Sequence, residues 1–284
     1  ALKSPRGTAN MKQMELLAKI ANENDAIDFI ALGGDLGQGY SANKQNHLDY
    51  LTALLTPLLE STKPVLALTG NHDDNSYVDI SAMDTVISNK NWNDTVIKYL
   101  EDGIGFKVVH DEDEINSKYY YYDIADKKTR VICLNASDYP QEYDANGNIT
   151  WLADNNTSVS ETSRSRYKTG YNFWGYSDAQ VEWVANVALQ AGDGWNYIVL
   201  SHMAIDKSST GSETYKNGDV LRKIFDSFQN KNNYLNEGLG IDQNWTEASG
   251  KILSYQFGHE HKYSVKYNDD IDVWQFATTS SGGS

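Results

Sequence analysis

The sequence predicts an α/β fold, and three observations carry that reading. Short apolar runs of strand length end in glycine or in polar clusters: A-I-D-F-I-A-L (26–32), V-L-A-L-T (65–69), W-N-Y-I-V-L (195–200) and K-I-L-S-Y-Q-F (251–257). Segments with apolar residues at helical spacing lie between them. Strands that alternate with helices need a crossover at each connection, which builds a parallel sheet with helices on its faces.

In chain order, Met14, Leu17, Ala18 and Ala21 define one face of a first helix over 10–24, and the strand 26–32 follows, ending at Gly33 and Gly34. Leu48, Leu51, Leu55 and Leu58 mark a second helix over 44–60, which Pro57 kinks or ends because it lacks an N–H donor. After the strand 65–69, residues 79–101 have weak helical character. K-V-V-H (107–110), Y-Y-Y-Y-D (119–123) and R-V-I-C-L (130–134), separated by charged turns, predict an antiparallel meander. Ser177-Asp-Ala-Gln180 reads as a capping box opening a helix whose buried face is Val181, Val184, Ala185 and Ala188. A helix near 218–229, the strand 251–257 and two short strands at 262–267 and 271–277 complete the chain. No internal repeat or linker divides residues 1–284, so a single domain is expected.

Residues 136–176 have little period and are rich in Asp, Asn, Ser and Gly. A loop this long inside a compact domain is usually functional or disordered, and Tyr139, Tyr143, Trp151, Tyr167, Tyr171, Phe173 and Trp174 argue for a packed lid or rim. The aromatics either fasten the loop to the body or meet substrate.

With 284 residues the chain can bury a real core. Lys plus Arg is 24 and Asp plus Glu is 39, a formal net charge of −15, so the surface repels polyanions and bulk nucleic-acid binding is not expected. A local cationic site can still accept a small phosphate. No apolar run approaches the roughly 18 residues needed to span a bilayer, and no signal-peptide apolar region opens the sequence. The single Cys133 sits in V-I-C-L as a buried thiol with no intramolecular disulfide partner. The Asn- and Tyr-rich, nearly cysteine-free composition leans towards an exported bacterial protein. Compartment and oligomeric state are otherwise open.

Four apolar strands end in similar chemistry: Gly34-Asp35, Gly70-Asn71-His72-Asp73, Ser201-His202 and Gly258-His259-Glu-His261. In open α/β sheets ligands bind beyond the carboxyl ends of the strands, so these side chains should meet on one edge. Taken singly, a histidine at a strand end is more often a hydrogen-bonded structural residue than a ligand. His47, on a helix, and His110, beside a charged turn, read as structural. Together, oxygen and imidazole donors of intermediate hardness suit Zn, Mn or Fe.

The order G34-D35-L-G, G70-N71-H72-D73, S201-H202-M, G258-H259-E-H261 resembles the calcineurin-like metallophosphoesterases, the superfamily of purple acid phosphatases and 5′-nucleotidases, and Q180-V-E-W183 fits it too. The resemblance covers essentially the whole chain. It implies a four-layer α/β/β/α sandwich of two mixed sheets flanked by helices. It further implies a phosphoesterase with two divalent or trivalent metal ions (Mn, Zn or Fe), acting on a small phosphate mono- or diester by attack of a metal-bridging hydroxide. Asp35 would bridge the ions, Asn71, His202 and His259 would complete the second site, and His261 would belong to the first. Asn71 and His72 would face the substrate, His72 as general acid or transition-state stabiliser. The superfamily's Asp-x-His motif at the end of its first strand has no counterpart in this sequence, and Asp25 and Asp28 have no histidine partner. That first strand is expected upstream of residue 1; the alternative is that half of one metal site has been lost. The alternative functions are a catalytically impaired module that binds a phosphorylated ligand or partner, and a metal-dependent hydrolase of a non-phosphorus ester or amide.

Overall fold

The computed structural model describes residues 5–76, 85–139, 141–143, 145, 149–152, 175–205 and 216–278. Helix α1 (Pro5–Glu23) buries Met14, Ala18 and Ala21 as their spacing predicts, while Leu17 stays 38% exposed, off the buried stripe. Strand β1 (Ile30–Leu32) is shorter than the apolar run that announces it. Helix α2 (Lys44–Leu55) is capped by Asn43, whose side chain accepts from Asn46 N at 3.1 Å and satisfies one of the open donors of the first turn. At Pro57 the helix tightens into a 3₁₀ turn (Thr56–Glu60) instead of breaking off. Strand β2 (Val65–Ala67) then runs parallel to β1, with Ile30 opposite Val65 and Leu32 opposite Ala67.

Helices α3 (Asn89–Trp92) and α4 (Lys98–Ile104) are joined by a π-helical turn (Asn93–Ile97), placing helix where the sequence signal is weak. The predicted meander is present as β3 (Val109–His110), β4 (Tyr120–Ile124) and β5 (Thr129–Cys133), paired antiparallel in order. Two short strands, β6 (Gln141–Tyr143) and β7 (Ile149–Leu152), pair antiparallel within the long loop. Residues 153–174 of that loop, including Tyr167, Tyr171, Phe173 and Trp174, lie outside the described residues. Its base is pinned: Gly175 N donates to Ala136 O at 2.8 Å and Asp138 N to Gly175 O at 3.1 Å.

Helix α5 (Asp178–Trp183) forms only half of the predicted capping box. Ser177 Oγ accepts from Gln180 N at 3.1 Å, but the Gln180 amide turns away from the cap. It accepts from Asn135 N at 2.9 Å and donates to Asn135 O at 3.0 Å, tying the helix to the end of β5. A π turn (Val184–Ala188) leads to β8 (Asn196–Ser201), and α6 (Gly218–Gln229) follows. Next comes an element absent from the sequence reading, the hairpin of β9 (Asn233–Asn236) and β10 (Ile241–Asn244). Strands β11 (Ile252–Phe257), β12 (Ser264–Asn268) and β13 (Val273–Ala277) end the chain.

The large sheet runs β12-β13-β11-β8-β5-β4-β3. Its four central strands, β13, β11, β8 and β5, are parallel and its flanks antiparallel, so the predicted α/β fold with a mixed sheet and flanking helices is present. Successive residues of a strand face opposite sides. Val131 and Cys133 of β5 accordingly join one core with β1, β2 and helices α1 to α4, while Ile132 joins the other with α5 and α6. Each fully buried aliphatic side chain in these cores contributes about 1.5–3 kcal/mol. Cys133 is fully buried, and burial pushes its thiol well above the usual range, as expected of a structural cysteine.

Candidate metal centre

Strands β1, β2, β8 and β11 deliver Asp35, Asn71 with His72, His202, and His259 with His261 just past their carboxyl ends. Asp35, His259 and His261 adopt positive φ of 55°, 57° and 53°, a region that side chains enter at a cost of about 1–2 kcal/mol each. The turns that follow the strands are therefore shaped by something other than local preference. Two glycines make room for them. At Gly34 (φ 89°) an added Cβ would stand 2.6 Å from His202 Nδ1, and at Gly70 it would stand 2.2 Å from both Asp35 N and Asp35 Oδ1. No side chain fits at either place.

Four of the five predicted ligands converge. Asn71 Oδ1 lies 3.1 Å from His202 Nε2 and 3.2 Å from His259 Nδ1. Asp35 Oδ2 lies 3.3 Å from His202 Nε2, and the donor atoms of Asp35, His202 and His259 fall within 4.8 Å of one another. The His202 and His259 rings meet edge to face at 5.2 Å. Asn71 and His202 are buried, Asp35 and His259 half-buried. His261 is exposed and outside this cluster, on the wall of the same cavity.

The protonation pattern sets what this cluster can hold. His202 Nδ1 sits 2.7 Å from the Gly33 carbonyl, which can only accept, so Nδ1 carries the proton. In the neutral ring Nε2 is then a lone pair aimed at two oxygens, Asn71 Oδ1 and Asp35 Oδ2. Three acceptors in contact repel unless a proton or a cation lies among them. Without a metal, a proton serves. Burial would lower the basicity of His202, yet the charge and hydrogen bond of Asp35 and the Gly33 carbonyl raise it above the ordinary imidazole value. Burial alone would raise Asp35, but His202 and His72 hold its carboxyl down, to about 2. His259 is lowered to about 4 by burial and by the neighbouring His202. Acidic oxygen, amide oxygen and imidazole nitrogen in this arrangement fit a divalent ion of the Mn, Fe or Zn type.

His72 is half-buried and held from both ends: its N–H donates to Asp35 Oδ1 at 3.0 Å, and its ring Nδ1 donates to Gln38 O at 2.9 Å. A cavity of about 580 Å³ opens beside the cluster, lined among others by Asp35, Gln38, Tyr40, His72, His259 and His261. Among the described residues, His47 and His110 are not part of the group formed by Asp35, His202 and His259. Asp28 pairs with Lys127 at 2.5 Å, away from it.

The sequence reading gave no role to the polar layer behind these loops. Asp73, fully buried, accepts from Gly37 N at 2.9 Å and from Gly70 N at 2.8 Å. Burial and the charge of Asp35 push its carboxyl up to about 7 against the pull of those two donors. Asp74 accepts from Tyr139 OH at 2.6 Å and Ser76 N at 2.9 Å, and Asp138 accepts from Gln180 Nε2 at 2.9 Å. The buried Lys118 ammonium is made more acidic by burial, partly offset by Asp74, Asp73 and Asp138. The adjacent pair Asp73-Asp74 behind a strand-end glycine was the available signal.

A model of the calcineurin-like phosphoesterase family matches residues 10–263 of this chain. Among solved structures, a dimetal phosphatase from Danio rerio is similar with a TM-score of 0.60 and 13% identity, the match covering 96% of this chain and 78% of that one. At that identity the likeness speaks for the fold alone. No curated protein sequence matches this chain.

Proposed function

Because the chain belongs to the calcineurin-like phosphoesterase family, we propose that it is a metal-dependent hydrolase of a small phosphate mono- or diester, working at the strand ends that carry Asp35, Asn71, His202 and His259. The observation that supports this most is the meeting of His202 Nε2, Asn71 Oδ1 and Asp35 Oδ2 at 3.1–3.3 Å, a donor set that is joined by a proton in the metal-free protein and that a metal ion can take over. In this reading Asp35, whose carboxylate has the most lone pairs among these donors, would serve both ions. Asn71, His202 and His259 would hold one ion, and His261 would serve the other. Bound there, Mn²⁺, Zn²⁺ or iron would make water nucleophilic near neutral pH and offset charge on phosphoryl oxygens.

The chain's own part is to orient the ester and manage a proton. Asn71 grips a cation without adding charge. His72 has Nδ1–H committed to the Gln38 carbonyl, so its second proton resides on Nε2 and is the one given to the departing alkoxide. A metal held there would also draw a phosphate to a protein of net charge −15.

The test is metal analysis of the purified protein together with hydrolysis of p-nitrophenyl phosphate and bis-p-nitrophenyl phosphate, before and after chelation and after return of Mn²⁺, Zn²⁺ or iron. At least one equivalent of metal per chain is expected, with turnover of one ester that chelation abolishes and metal restores. Less than one equivalent after reconstitution and no hydrolysis would point to a module that binds a phosphorylated ligand without turning it over. Cleavage of a carboxylic ester or amide but of neither phosphoester would make it a hydrolase of another class.

A further inference from the structure

Asp73 follows the two motif residues Asn71 and His72, but it is not among the converging donors. Both of its oxygens are occupied by backbone: Oδ1 by Gly37 N, two residues beyond Asp35, and Oδ2 by Gly70 N, one residue before Asn71. One fully buried carboxylate therefore joins the loop that bears Asp35 to the loop that bears Asn71. The link is reciprocal, because Asp35 Oδ1 accepts from His72 N at 3.0 Å. Each loop thus donates a backbone N–H to a carboxylate of the other. The missing Cβ of Gly70, which would stand 2.2 Å from Asp35, brings the two chains into direct contact.

We propose that Asp73 is a positioning residue that sets the distance between the two loops, so that Asp35 and Asn71 reach the same ion. This rests on the metal-dependent reading of the site given above. The carboxylate suits the task because its two oxygens are rigidly spaced and each forms a charge-assisted bond. Asparagine has the same shape but turns an NH₂ group towards one of the two N–H donors. One rung is then lost and a buried donor is left facing another donor. The loops part, and the ligand oxygens with them.

The test compares the wild type with Asp73→Asn by titration of the chelated proteins with Mn²⁺, read by the ion's own magnetic resonance signal, alongside thermal unfolding. The expected result is a folded variant whose Mn²⁺ affinity is weaker by about 10- to 100-fold, the range found for groups that orient metal ligands. A variant that melts earlier but binds Mn²⁺ as tightly as the wild type overturns the proposal, since Asp73 would then only stabilise the fold. If Asp73→Asn does not fold, amide exchange on the wild type decides. Gly37 and Gly70 N–H should both gain protection when Zn²⁺ is added, and protection of one alone overturns the link. A wild type that binds neither ion removes the metal reading itself, and this proposal with it.

Discussion

The site has a buried half and an open half, and the two are built differently. Asn71 and His202 are 3% and 1% exposed. His202 is fixed through Nδ1 to Gly33 O, through its own carbonyl to Gly258 N at 3.1 Å, and through the preceding Ser201, whose hydroxyl meets Tyr176 OH at 3.3 Å in a buried chain reaching Tyr255 and the Met203 carbonyl. In the open half His72 and His259 are half-buried, and His261 is exposed on a strained turn. Holding an ion needs fixed geometry, which burial and several bonds per residue supply. Meeting a substrate needs access, and access removes some of those bonds. On the proposed function, tight placement and reactivity are divided between the two sides of one small site.

The largest expected effect separates the halves most directly. His202→Ala should lose metal affinity by at least about 100-fold, at or beyond the upper end of what groups around a ligand cost, and hydrolysis with it. It also takes from the half-buried Asp35 carboxylate its imidazole partner, leaving only the His72 N–H, so the melting temperature of the metal-free protein should fall. His261→Ala should weaken binding of the tighter ion by no more than about tenfold, with little change in melting. Metal titration and thermal unfolding of the two variants check this. Equal losses in both would mean that burial does not divide the labour.

A smaller but more selective effect belongs to His72. Replacing it by alanine should lower kcat by about 10²- to 10⁴-fold, the usual yield of a positioned proton donor, while metal content stays intact. The effect should shrink for an ester with an acidic leaving group, which departs without a proton. A variant that keeps full turnover on an unactivated ester would remove the acid role from His72.

The sequence made the open and buried donors equally legible, because each follows a short apolar run and a strand-end signal that depends on a few adjacent residues. It could not rank them. Asn71 and His72 are neighbours in the chain, and only the fold buries one more than the other. What supports the site was less legible still. Asp73, Asp74, Asp138 and Lys118 are charged side chains that local rules assign to the surface, and they are buried only because distant loops provide their partners. Gln180 fits a capping box locally, yet Asn135, 45 residues earlier in the chain, takes its amide. The β9–β10 hairpin escaped notice because N-Y-L-N and I-D-Q-N have little apolar alternation, and Leu235 is 62% exposed. The helical face of α1 was readable because Met14, Ala18 and Ala21 recur at helical spacing and are all buried, and the meander from β3 to β5 because its short apolar runs are separated by charged turns.

The smallest expected effect tests whether the buried half has a floor of its own. His47 on α2 is 4% exposed, and its Nε2 has no hydrogen-bond partner. Burial lowers its pKa below the ordinary 6.5, partly offset by the Asp73 carbonyl and the Asp74 charge. A histidine lowered in the folded state takes up its proton more readily when unfolded, so stability is intact above about pH 6.5 and declines as the pH falls below it. In His47→Gln the group no longer titrates, and the fall in melting temperature between pH 7.5 and 5.5 should be smaller than in the wild type. Both proteins should be chelated, so that proton competition for the metal ligands is common to the two and cancels in the difference. Parallel declines would place the acid sensitivity in the donor cluster, with the helix beneath it a passive support.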